Sequence, residues 1–199
     1  MMRRHRTTWL MLLGTALLSG CAATGQETTV TDDVVTVPLG DPPETVTGHD
    51  WPTRDDGSSL DAAAVERPHT LVARIEDQEV LRSTSQLSFM LERGGVLVEA
   101  TATPLEAATD LTSAIDATEA LLGENGLLTG RVRDDLERFR DHEEPAELEW
   151  PESRRTLRTF AEGDQVRVEI ELRPTGEDDW LSSVTVGLPS DGQDLSEAG

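Results

Sequence analysis

The chain has 199 residues, enough for one domain with additional segments, and its charge is lopsided: 39 acidic residues stand against 17 basic ones, for a formal net charge of −22. Every basic residue is arginine, and three of them but no acid fall in residues 1–20, so the rest of the chain carries 39 acids against 14 arginines. Such a surface repels phosphates, which excludes binding to DNA, RNA and anionic lipid headgroups, and it reads as a solvated acidic face suited to brine or left by coding bias that replaced lysine with arginine.

The chain opens with a basic stretch, MMRRHR, followed by the apolar TTWLMLLGTALL and the small pair Ser19-Gly20 before Cys21, the only cysteine. That is the layout of an export signal. The apolar run of about twelve residues falls short of the roughly 20 needed for a lasting transmembrane helix. Leu18-Ser19-Gly20-Cys21 resembles the lipobox of bacterial lipoprotein precursors, a likeness confined to residues 1–21. The resemblance implies removal of residues 1–20, transfer of a diacylglyceryl group to the Cys21 sulfur, and often acylation of the new amino terminus. A thiolate is the side chain nucleophilic enough for that transfer, and a lone cysteine has no disulfide partner within the chain. Two or three acyl chains anchor firmly, at about 0.8 kcal/mol per buried methylene. The protein is then expected on the cell membrane or, because Ala22 and not aspartate follows the cysteine, on the outer membrane of a two-membrane cell. In both cases it faces outside the cytoplasm.

Residues 21–66 read as a disordered tether, rich in Thr, Asp, Gly and Pro, with prolines at 38, 42, 43 and 52. Ten acids against one arginine over 22–66 favour an extended, self-repelling chain. Its apolar piece VVTVPL is the part suited to dock as an added strand, and Trp51 is suited to pin the tether's end to the domain. A single domain is expected over 67–188, with a disordered tail at 189–199.

HTLVARIE from His69 predicts a first strand with Leu71, Ala73 and Ile75 on one side. In QLSFMLERGGVLVEATA, Gly94-Gly95 suits a two-residue hairpin turn whose positive φ values glycine tolerates. Pairing Arg93 with Val96 then sets Leu91 against Val98, Phe89 against Ala100 and Leu87 against Ala102 on one apolar face. Thr103 as N-cap, Pro104 and Glu106 predict a helix that ends at Gly123, with Ala108, Leu111, Ile115, Thr118 and Leu122 as its buried stripe. A second helix follows, with Leu128, Val132, Leu136 and Phe139 inward. After an irregular stretch, QVRVEIELR alternates fully, with Val166, Val168, Ile170 and Leu172 in and the charged residues out. WLSSVTVGL should pair back antiparallel to it. Strands, two helices, then strands predict an α+β fold, a mainly antiparallel sheet with a helical pair packed on one face.

Catalytic chemistry has no signature here. His49, His69 and His142 lack metal-ligand spacing, and nucleophile-elbow, phosphate-loop and dinucleotide motifs are missing. TRDDGSSLD and TGEDDW lack the spaced acids of a calcium loop. No catalytic residue, metal or cofactor is therefore assigned. Arg154, Arg155 and Arg158 form the basic cluster beyond the signal, and are the candidates for contact with an anion or a partner. The sequence points to a lipid-anchored, noncatalytic binding or accessory module, held to the membrane through lipid on Cys21 and engaging an envelope protein or a small ligand. The alternative is an exported hydrolase with an unrecognised carboxylate site.

Overall fold

A computed structural model describes residues 33–141, 157–162, 165–175 and 179–189. Its strands are β1 (Val34–Leu39), β2 (Ala62–Ile75), β3 (Gln78–Arg93), β4 (Val96–Thr103), β5 (Leu157–Glu162), β6 (Arg167–Pro174) and β7 (Trp180–Gly187). Two helices, α1 (Leu111–Glu124) and α2 (Gly130–Asp141), lie between β4 and β5 in sequence. The strands form one seven-stranded sheet in the order β1-β2-β3-β4-β7-β6-β5. Every pairing is antiparallel except β1 with β2. The fold is α+β with a mostly antiparallel sheet, as its composition of elements predicts.

From residue 33 onward the stretch read as a tether carries regular structure, and its apolar piece forms the added strand for which it is suited. VVTVPL is strand β1, with Val35, Val37 and Leu39 buried at alternate positions. Burying three aliphatic side chains yields several kcal/mol, which outweighs repulsion among acids that sit beyond the strand's ends at Asp33 and Asp41. Past β1 the chain bonds to a second strand: Gly40 N–H donates to the Leu97 carbonyl at 2.8 Å, and Leu97 N–H donates to the Asp41 carbonyl at 2.9 Å. The sheet thus curls until the end of β1 meets the start of β4. Trp51 packs against the core and donates its indole N–H to the Leu60 carbonyl at 3.2 Å. Strand β1 and Trp51 thus pack in the same body as the strands that follow residue 67. Residues 21–32, the signal and most of the 189–199 tail lie outside the described residues.

The hairpin turn forms at Gly94-Gly95, both with positive φ (65° and 87°), but its register departs from expectation. Arg93 pairs with Val96 and Glu92 with Leu97; then Leu91 pairs with Glu99, so Val98 is extra and β4 bulges. One inserted residue switches which side chains share a face. Met90 joins Ala100, and Ser88 joins Ala102, on the buried side, while Phe89 turns outward against Thr101 and is 47% exposed. A second irregularity, between Glu66 and His69, lets β2 and β3 continue as a bent ribbon.

The first helix starts later than predicted. Thr103 is the last residue of β4, and Asp110 caps α1 instead, accepting from Ser113 N–H at 2.7 Å. Gly123 stays within the helix, which ends at Asn125; Gly126 has φ +69°, and Leu127 N–H returns to the Leu122 carbonyl at 2.8 Å. That is the glycine-stopped helix end described for αL caps. Ala114, Ile115, Thr118 and Leu122 are buried. In α2 the buried residues are Val132, Asp135 and Leu136, and Arg140 ties the helices together through Asp116 at 2.6 Å and Glu119 at 3.2 Å. The apolar side chains of both helices join Met90, Leu97, Ala100, Ile170, Leu172, Val184 and Val186 in a single cluster. The stretch expected to be irregular contains β5, whose Thr159 hydroxyl donates to the buried Asp135 carboxylate.

Candidate functional site

Alternation along a strand sends every second side chain away from the core. On that outer side of the sheet, the registers align one row across four strands: Phe89 pairs with Thr101, Thr101 with Thr185, and Thr185 with Glu169. Leu87, Phe89, Thr101, Thr103, Leu181, Ser183, Thr185, Glu169, Glu171 and Arg173 line a shallow groove of about 240 Å³. Its chemistry changes across the sheet. Leucine and phenylalanine come from β3, hydroxyls from β4 and β7, and charges from β6. The Thr101 and Thr185 hydroxyls share a hydrogen bond of 2.7 Å.

Ion pairs border the groove. Arg158, on β5, donates from Nε at 3.1 Å and from Nη2 at 2.8 Å to Oε2 of Glu171. Arg167 reaches over Gly187 to the Glu99 carboxylate. Glu169 and Arg173, which also face the groove, have no ion-pair partner among the described residues. Of the three arginines singled out in the sequence, Arg158 therefore lies beside the groove with its charge already matched, whereas Arg154 and Arg155 lie outside the described residues. Phe89 was not among the expected site residues, because the bulge at Val98 that turns it outward has no signature in the local pattern. The alternation of β6 does foretell Glu169, Glu171 and Arg173 as outward.

A second cleft, of about 400 Å³, runs between the β2–β3 ribbon and the end of α1, lined by Glu79, Arg82, Thr84, Leu121, Glu124 and Asn125 among others. Asn125 occupies it as a strand would: its Oδ1 accepts from Arg82 N–H at 2.7 Å and its Nδ2 donates to the Arg82 carbonyl at 3.2 Å. The Arg82 guanidinium grips Glu79 and holds that carboxyl below its ordinary range.

One serine–histidine pair lies inside the core. His69 and Ser88 are both fully buried, with His69 Nε2 and Ser88 Oγ 2.8 Å apart and His69 Nδ1 2.6 Å from the Arg67 carbonyl. A carbonyl only accepts, so Nδ1 carries the proton and Nε2 accepts from the serine. The geometry is that of a base and a nucleophile, but neither group reaches a surface where a substrate could meet it. It fills the core at the second bulge. Among the described residues, no histidine or cysteine lines the groove and no three His, Cys, Asp or Glu side chains gather to hold a metal. His142 lies outside the described residues.

No protein-family model matches the chain, and no curated protein or solved structure shows significant similarity to it.

Proposed function

We propose that the protein is a lipid-anchored, noncatalytic binding or accessory module that works outside the cytoplasm and docks a partner on the outer face of its sheet. In this reading the helical pair covers one face of the sheet and the groove face is left for the partner. The observation that carries it is Phe89, 47% exposed on the β3 side of a groove bordered by the ion pairs Arg158–Glu171 and Arg167–Glu99. Exposed aromatic side chains are what protein interfaces use to gain affinity, and the hydroxyls and charges beside Phe89 supply polar contacts. The lipobox at Leu18–Cys21 supports the anchor, and the acidic surface supports a partner other than nucleic acid.

Two measurements test the reading. Cells fed a clickable fatty acid should label the wild type and not Cys21→Ala; equal labelling of both defeats the anchor. Crosslinking in intact membranes should recover a reproducible partner from the wild type and much less from Phe89→Ser. Equal recovery from Phe89→Ser defeats the docking face.

A further inference from the structure

We infer that the occupant of the outer face is a second copy of this chain. The inference rests on the reading of that face as a docking surface and names what docks there. Two charges carry it. Glu169 and Arg173 project from β6 on either side of Glu171, and neither is matched by another described residue, while Glu171 is matched by Arg158 and Glu99 by Arg167. Counted together, the described side chains that line or border the groove supply three carboxylates and three guanidinium groups, within a chain that is otherwise heavily acidic.

The unmatched pair is complementary to itself. Consider a two-fold axis between two such faces, perpendicular to β6 and passing over Glu171. It lays β6 antiparallel on β6 of the second copy, sets Glu169 of each copy over Arg173 of the other, and brings Glu171, whose charge Arg158 already matches, over its own counterpart. On β7, where Thr185, Ser183 and Leu181 pair with Glu169, Glu171 and Arg173, the same rotation sets Thr185 over Leu181 of the second copy and Ser183 over its own counterpart. Stacked sheets lie about 10 Å apart, a gap that glutamate and arginine span between them. A closed two-fold contact of this kind is the commonest form of self-association. A basic partner would be drawn to the acids elsewhere on the chain and gain nothing from a face whose charges cancel. An acidic partner is repelled unless it presents the same balanced face.

The test is sedimentation of the full chain in mild detergent at 0.15 M salt, where screening extends about 8 Å. The wild type should sediment as a dimer. Glu169→Arg and Arg173→Glu should each weaken the dimer at least about tenfold, because each places like charges opposite one another twice. The double variant Glu169→Arg, Arg173→Glu swaps the charges and should return the dissociation constant to within about threefold of wild type, a rescue that a merely structural role would not produce. A wild type that stays monomeric into the micromolar range overturns the inference, as does a double variant as weak as its parents. If the wild type is monomeric yet Phe89 still governs capture of another envelope protein, self-association fails and the docking face stands. Loss of both defeats the docking face as well.

Discussion

Arg167 bonds to Glu99 across an intervening strand, and it does so because the residue between them is Gly187. The registers align Glu99 with Gly187 and Gly187 with Arg167, so a side chain at 187 would stand where the guanidinium passes. A Cβ there would lie 3.1 Å from Glu99 Cγ and 3.1 Å from the Val98 carbonyl oxygen. Gly187→Val should therefore cost about 1–3 kcal/mol of stability, read as a lower urea midpoint. Arg167→Ala should cost only about 0–1 kcal/mol, since both partners keep about a quarter of their side chains in solvent. Equal losses would mean that the ion pair, and not the space at 187, is what matters.

His69 makes stability depend on pH in a defined direction. Burial lowers its pKa below the ordinary value of about 6.5, and the nearby charges of Arg67 and His49 push the same way; these outweigh the Arg67 carbonyl, whose bond favours the protonated ring. The unfolded chain thus binds a proton at higher pH than the folded one. The contribution is complete above about pH 6.5 and is lost as the pH falls from there through the folded pKa. Unfolding titrations of the wild type should show this fall, and His69→Gln should flatten it in that window. In the same core, Ser88→Ala leaves Nε2 without its donor and should cost about 1–3 kcal/mol. Ser85→Ala should be neutral or stabilising, because its buried hydroxyl has no hydrogen-bond partner among the described residues.

Asn125 does the work of a strand partner for one residue of β3 while holding the end of α1 through the Leu121 carbonyl at 2.8 Å. Asn125→Ala should cost about 1–2 kcal/mol. It should also speed exchange of the Arg82 amide hydrogen more than that of amides bonded within the β2–β3 ladder. Unchanged exchange at Arg82 would contradict the bridging role.

What the sequence shows and conceals follows from the range of each signal. Alternation in β6 and the glycines at 94–95 are local, and both are met in the structure. The bulge at Val98 is not local: Ala100 and Ala102 face inward because their partners on β7, Val186 and Val184, are buried there. A pairing between residues so distant in sequence leaves no trace in the hairpin itself. The piece VVTVPL is legible as an added strand, whereas its acidic, proline-rich surroundings give no sign that the chain beyond it bonds to β4 as well. Thr103 is drawn into the ladder with Leu87, a long-range pairing that overrides its local capping pattern and leaves Asp110 to cap α1. Of the groove, the β6 charges were legible, whereas Phe89 depended on the bulge.

The most direct test of the docking face is a photoreactive phenylalanine analogue placed at position 89 and, as the control, at Val34, which is 42% exposed on edge strand β1. After irradiation of intact envelopes, position 89 should yield a discrete adduct and position 34 should not, with Arg173→Glu reducing the adduct at 89. Equal adducts at both positions, or none at 89, would contradict the account.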